Sequence, residues 1–233
     1  MGDITFTIDG KECTAKEGQT IVEAAQANGV YIPVLCHFEG LKPAGTCRIC
    51  TVKVAGRHMA ACTTPVRQGM VIENQTPELE NKRKAIIEML FVEGNHMCPT
   101  CEKSGNCELQ ALAYRYRMMV PRFPFLWPKR EVNASYEKIM IDTNRCIQCL
   151  RCVRGIVTDD GKHIFGLVRR SERAIISADP QLAGRMSDEL AQKAMDICPV
   201  GAIIRKEVGF RVPIGKRKFD TKPIGSDYED KNR

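Results

Sequence analysis

The stretch Cys146-Ile147-Gln148-Cys149-Leu150-Arg151-Cys152 decides how the rest of the chain is read. Its spacing, C-x2-C-x2-C, lets tight turns present thiolates to one centre. Cysteines packed this closely suit the corners of an iron–sulfur cluster better than the tetrahedron around one zinc ion. A fourth thiolate is needed, and Cys198-Pro199 supplies it from downstream. The count supports one [4Fe–4S] cluster held by Cys146, Cys149, Cys152 and Cys198.

Two further groups lie upstream, and together the three groups take every cysteine of the chain except Cys13. Cys36, Cys47, Cys50 and Cys62 read C-x10-C-x2-C-x11-C. The order matches that of plant-type [2Fe–2S] sites, with a longer first gap and a shorter last one. Small residues around Ala44-Gly45-Thr46 let backbone amides approach the sulfurs. A four-cysteine zinc site is the alternative, but zinc ribbons carry two C-x-x-C knuckles and this group has one. Cys98, Cys101 and Cys107 read C-x2-C-x5-C and are one thiolate short. The fourth position falls to His96, whose imidazole suits iron, or to a solvent or partner ligand; otherwise the cluster is a [3Fe–4S] form. Cys13 lies in an alternating segment with no partner motif and reads as a small buried hydrophobe.

The bulk composition agrees. Aromatics are only 6 % of 233 residues, thin for one large core and suited to several small modules stapled by metal. The start of the chain has no basic region followed by an apolar one, and no apolar run approaches the length of a membrane span. The expectation is a cytoplasmic protein, where dense cysteines mean metal sites rather than disulfides. The net charge of +7 comes from scattered residues with short runs such as Lys82-Arg83-Lys84 and Lys216-Arg217-Lys218. No nucleic-acid motif accompanies them, so neither a nucleic-acid nor a membrane partner is expected.

The expected fold class is α+β. Ile4, Phe6 and Ile8 alternate with polar residues as a half-buried strand, Asp9-Gly10 is a hairpin turn, and Lys11 to Ala15 return. Thr20-Ile21-Val22-Glu23 is a capping box opening a helix that stops at Asn28-Gly29. Strands are expected at 51–55 and 58–62, which closes an N-terminal domain over 1–77. A helix over 78–93 and another opened by Cys107, running through Met119, flank the second group in a helical module with a connector over 78–130. A third domain over 131–207 has strands near 138–142, 164–168 and 174–177, and a helix from Ser187 to Ile197 that delivers Cys198. The tail, 208–233, lacks periodicity and is expected to lie extended on a partner. No G-x-G-x-x-G pattern occurs, so nucleotide and flavin are expected to bind on another chain.

The three motifs, in this order, resemble the N-terminal region of the large iron–sulfur subunit of respiratory complex I and the related region of iron-only hydrogenases. The run Cys98-Pro99-Thr100-Cys101-Glu102-Lys103-Ser104-Gly105-Asn106-Cys107-Glu108-Leu109-Gln110 is especially similar. The short length and the tail Val212-Pro213-Ile214-Gly215-Lys216-Arg217-Lys218-Phe219-Asp220 resemble small diaphorase subunits of soluble NAD-reducing nickel–iron hydrogenases. The resemblance implies a β-grasp [2Fe–2S] domain, a His–Cys [4Fe–4S] module and a bacterial-ferredoxin-like [4Fe–4S] domain. It implies an electron relay, not a catalyst in itself, between an FMN-containing NAD(H) diaphorase subunit and hydrogenase small and large subunits. The same relay in an NAD-dependent formate dehydrogenase is the alternative, and a zinc-stapled interaction module is the alternative of another class. The complex I pattern is H-x3-C, which would place histidine at position 94; this chain has Gly94 there and His96 nearby.

Overall fold

Strands β1 (Asp3–Ile8) and β2 (Lys11–Lys16) pair antiparallel, with Ile8 opposite Lys11. Asp9 and Gly10 both take positive φ, 50° and 80°, the geometry a two-residue hairpin turn demands. This is a computed structural model, and it describes residues 3–230. Phe6, Ile8, Cys13 and Ala15 turn inward from the hairpin onto a common core. Helix α1 (Ile21–Ala27) has the expected box: Glu23 N donates to Thr20 Oγ1, and Thr20 N to Glu23 Oε2 at 2.8 Å. Gly29, at φ 68°, follows its C-terminal cap, Asn28. Ile21, Val22, Ala24 and Ala25 bury against the sheet.

Strands β3 (Thr51–Val54), β4 (Arg57–Ala60) and β5 (Val71–Glu73) complete a five-stranded mixed sheet of order β2-β1-β5-β3-β4. The pair β1–β5 is parallel and the others are antiparallel. The short strand β5 is not legible in the sequence, since its three residues carry no periodicity and its partners come from remote segments. Asp9 anchors the segment after it, accepting from Asn74 N at 2.7 Å.

Helix α2 (Pro77–Val92) follows, one residue earlier at each end than expected. Its Arg83 is buried and donates to Asn74 O, Asn74 Oδ1 and Thr51 O at 2.7–2.9 Å. Helix α3 (Glu108–Arg115) stops short of Met119, because Arg117 enters the left-handed region at φ 51°. Beyond it, β6 (Val132–Asn133) and β7 (Ile139–Asp142) precede α4 (Arg151–Gly155). A hairpin of β8 (Phe165–Val168) and β9 (Ile175–Ala178) follows, then α5 (Pro180–Gly184), α6 (Asp188–Ile197) and β10 (Ile203–Arg205). Ser187 caps α6 as expected, accepting from Leu190 N. The order β10-β7-β6 forms a second, antiparallel sheet.

Over the described residues the chain makes two compact units that interleave in sequence. One combines the segments up to Ile87, Leu112–Met119 and from Lys222 onward; the other combines Glu88–Ala111 and Val120–Thr221. The tail is not free over its whole length. Phe219 N donates to Gly105 O and Arg217 Nη1 to Ser104 O within the second unit. A last turn, α7 (Ser226–Glu229), sits in the first, where Glu229 pairs with Arg115 and Tyr228 stacks on Tyr31 at 6.3 Å. Phe210, Val212 and Ile214 are exposed. No described helix is long and apolar enough to cross a membrane.

Candidate metal centres

The first group is built on the β3–β4 hairpin. Thr51 pairs with Ala60, so Cys50, just before β3, and Cys62, just after β4, face each other with sulfurs 3.4 Å apart. Ala61 N donates to Cys50 O and fixes the pair. Cys47 joins through a turn in which Arg48 is left-handed, φ 59°, and Thr51 Oγ1 closes on Arg48 O at 2.6 Å. Gly45, at φ 67°, passes so near Thr63 that a Cβ would stand 3.0 Å from its methyl group. Cys36 arrives from the loop after α1, and all but Cys47 are buried. The four thiols hydrogen-bond one another. Cys47 and Cys62 push Cys36 down, and Cys62 pushes Cys50 down to about 7. Cys47 and Cys62 are pushed up in return, each first by its hydrogen bond to Cys36. Such a set cannot ionise fully by itself; a multiply charged metal centre fits it, because metal coordination deprotonates thiols outright.

The second group shares one cavity: His96, Cys98, Cys101 and Cys107 line it with Ser104, Gln110, Arg145 and Gly201. A 3-10 turn, Cys98–Thr100, presents the first two thiols, with Cys101 N donating to Cys98 O. Cys107 precedes α3, whose first-turn amide on Gln110 donates to its sulfur at 3.4 Å. Burial raises all three thiols, Cys107 to about 12. Burial lowers His96 to about 4, so its ring is neutral at pH 7. His96 Nε2 lies 3.1 Å from Leu90 O; with the proton there, Nδ1 keeps its lone pair for a metal.

Gly94 explains the departure from the complex I pattern. A Cβ at 94 would stand 2.5 Å from Asn144 O and 2.7 Å from His96 Nε2. No side chain fits at 94, and the imidazole of residue 96 occupies the space beside it.

The third group also shares one cavity, lined by Cys146, Cys149, Cys152 and Cys198 with Ile141, Ile147, Leu150, Ile176 and Ile203. Gln148 and Leu150 are left-handed, at φ 50° and 58°, which turns the run so that its cysteines converge. Cys198 ends α6. Burial pushes Cys146 up to about 11, Cys149 to about 12 and Cys152 well up. Four thiols in an apolar pocket fit a cluster that takes the place of their protons. Among the described residues, no three or more His, Cys, Asp or Glu side chains are arranged to hold a single metal ion. Cys13, buried opposite Phe6 in the β1–β2 hairpin, belongs to none of the groups.

Spacing does not reveal the charged residues around the sites. Arg145 meets Cys101, Glu102 and Asp142. Arg151, buried between Cys149 and Cys152, pairs with Glu108. Their positions beside ligands in sequence are the only available signal.

Three cysteine-lined sites on one chain define an iron–sulfur electron carrier. Residues 2–77 match the 2Fe-2S iron-sulfur cluster binding domain family. Residues 83–122 match the NADH-ubiquinone oxidoreductase-G iron-sulfur binding region, and 137–204 the ferredoxin-like domain of NADH-quinone oxidoreductase subunit 3. The gamma subunit of the NAD-reducing hydrogenase HoxS of Cupriavidus necator is 48 % identical over 95 % of both chains. A chain in the crystal structure of an NAD+-reducing [NiFe]-hydrogenase in the H2-reduced state is 40 % identical, with a TM-score of 0.88 over 95 % of each. The G-type subunit of the NADH-quinone oxidoreductase of Rickettsia bellii is 36 % identical over 96 % of this chain, which spans 32 % of that longer protein. The chain belongs to the family of iron–sulfur gamma subunits of NAD-reducing hydrogenases, with relatives among the G-type subunits of NADH-quinone oxidoreductases.

Proposed function

We propose that this chain relays electrons between an FMN-containing, NAD(H)-binding diaphorase subunit and the small and large subunits of a nickel–iron hydrogenase, in the cytoplasm. The observation that carries the reading is the match along 95 % of a hydrogenase gamma subunit by a chain whose cysteines gather into three separate sites. The reading assigns a [2Fe–2S] cluster to Cys36, Cys47, Cys50 and Cys62. It assigns one [4Fe–4S] cluster to His96, Cys98, Cys101 and Cys107, and another to Cys146, Cys149, Cys152 and Cys198. The matching domain divisions are a β-grasp domain over 1–77, a His–Cys module over 78–130, a ferredoxin-like domain over 131–207 and a docking tail over 208–233. The exposed Phe210, Val212 and Ile214 suit that last role.

The clusters supply one-electron carriers. The chain's own residues hold them apart from water, offer amide donors such as Gln110 N to sulfur, and keep His96 neutral. Iron and acid-labile sulfide analysis with EPR tests the assignment, which implies about ten irons per chain. Stoichiometric zinc with no EPR signal on reduction would sink it. Co-purification of a nickel-containing partner rather than a molybdenum-containing one separates the hydrogenase from the formate dehydrogenase reading.

A further inference from the structure

Arg145 is a cation packed against the second site. Its Nη1 lies 3.5 Å from Cys101 Sγ, 2.9 Å from Glu102 Oε2 and 3.5 Å from Gly201 O; its Nε lies 2.9 Å from Asp142 Oδ2. The side chain is only 13 % exposed, so solvent screens it poorly. Gly201 makes the contact possible. A Cβ there would stand 2.4 Å from Cys101 Sγ and 3.4 Å from Arg145 Cδ. Only glycine lets the chain after Cys198 close over Cys101 with the guanidinium in place.

Reduction makes a cluster more negative. A cation and an N–H donor at a ligand sulfur favour the reduced form, and a carboxylate beside it opposes that form. At this site one guanidinium sits with two carboxylates, so removing the guanidinium takes away the one local positive charge and leaves both carboxylates uncompensated. Arg145 is followed directly by Cys146, and Gly201 stands shortly after Cys198, so the contact joins the second ligand set to the third.

We propose that Arg145 is a positioning residue that raises the reduction potential of the second cluster, acting through Cys101, and so sets where an electron rests between the second and third clusters. This rests on the assignment of His96, Cys98, Cys101 and Cys107 to one cluster.

The test is an EPR-monitored redox titration of the full-length, iron-loaded chain. Arg145→Gln should lower the second cluster's midpoint by about tenfold in its reduction equilibrium constant, which is about 59 mV for a one-electron couple. Glu102→Gln, which removes an opposing charge with little change of shape, should raise the same midpoint. Arg145→Lys, which keeps the charge, should stay closer to the unsubstituted protein than Arg145→Gln does. The third cluster should move less in each case. Unchanged midpoints in Arg145→Gln and Glu102→Gln overturn the proposal, as do downward shifts in both. Loss of the second signal from both variants overturns it in favour of a purely structural role. If the unsubstituted chain lacks the iron and the signal of the second cluster, the ligand assignment has failed and the proposal falls with it; the iron count tells the two failures apart.

Discussion

Arg151 and Glu108 meet fork to fork, with Nη1 on Oε1 and Nη2 on Oε2, each at 2.8 Å. Arg151 lies between two ligands of the third site, and Glu108 directly follows the last cysteine of the second. Burial opposes the charge on Arg151, and the Glu108 carboxylate more than restores it, so the guanidinium pKa is raised. The pair locks two ligand-bearing segments that are far apart in sequence.

Removing one partner leaves a buried, uncompensated charge. Glu108→Ala should destabilise the second unit by about 3 kcal/mol, at the low end for broken buried pairs because Glu108 keeps some contact with water. Denaturant titration of the iron-loaded chain, followed by visible circular dichroism, measures it. A loss below about 0.5 kcal/mol, the scale of an ordinary surface substitution, would mean that the pair is incidental.

His96 and Gly94 make a paired prediction. His96→Ala should change only the EPR signature of the second cluster, leaving the other two intact; an unchanged spectrum would place the fourth ligand elsewhere. Gly94→Ala should destabilise the chain by about 1–3 kcal/mol, since its methyl group meets the Asn144 carbonyl and the His96 ring. Thermal unfolding with iron analysis checks both variants.

Asp220 governs an acid response of the tail. Arg217 and the Gly215 and Arg217 amides hold its carboxyl down to about 2 from 3.8. A lowered carboxyl pKa gives stabilisation that is complete above about pH 4 and is lost as pH falls toward 2. The Gly215 and Arg217 amides should exchange faster with solvent across that window, and Asp220→Asn should show the fast exchange already at pH 7. Equal exchange in the variant at neutral pH would remove Asp220 from the account.

Cys13 serves as a control on the ligand sets. Cys13→Ala should keep full iron content and lose only the small stability of a trimmed core side chain. Lower iron in the purified variant would show that the division of the cysteines is wrong.

The elements legible in the sequence are those written in local chemistry. Thr20 and Glu23 mark α1 by themselves, Asp9-Gly10 fixes its hairpin, and Ser187 opens α6. The C-x-x-C steps are legible for the same reason, because one turn supplies both sulfurs. The illegible features depend on remote meetings or on a single backbone turn. Strand β5 exists because β1 and β3 receive it, and α3 ends early because Arg117 turns. Arg145 finds Cys101 across 44 residues of sequence and Gly201 across 56. No window of residues contains such a contact, so no spacing rule announces it.

The interleaved division of the chain carries a consequence for biosynthesis. The unit that starts to emerge first from the ribosome, with the β1–β2 hairpin, waits for Arg115 in mid-chain and for Glu229 and Tyr228 near the other end before its last contacts form. The second unit has all its segments once Thr221 is made. Translation thus supplies the last segment of the earlier-starting half only after every segment of the later-starting one has been made.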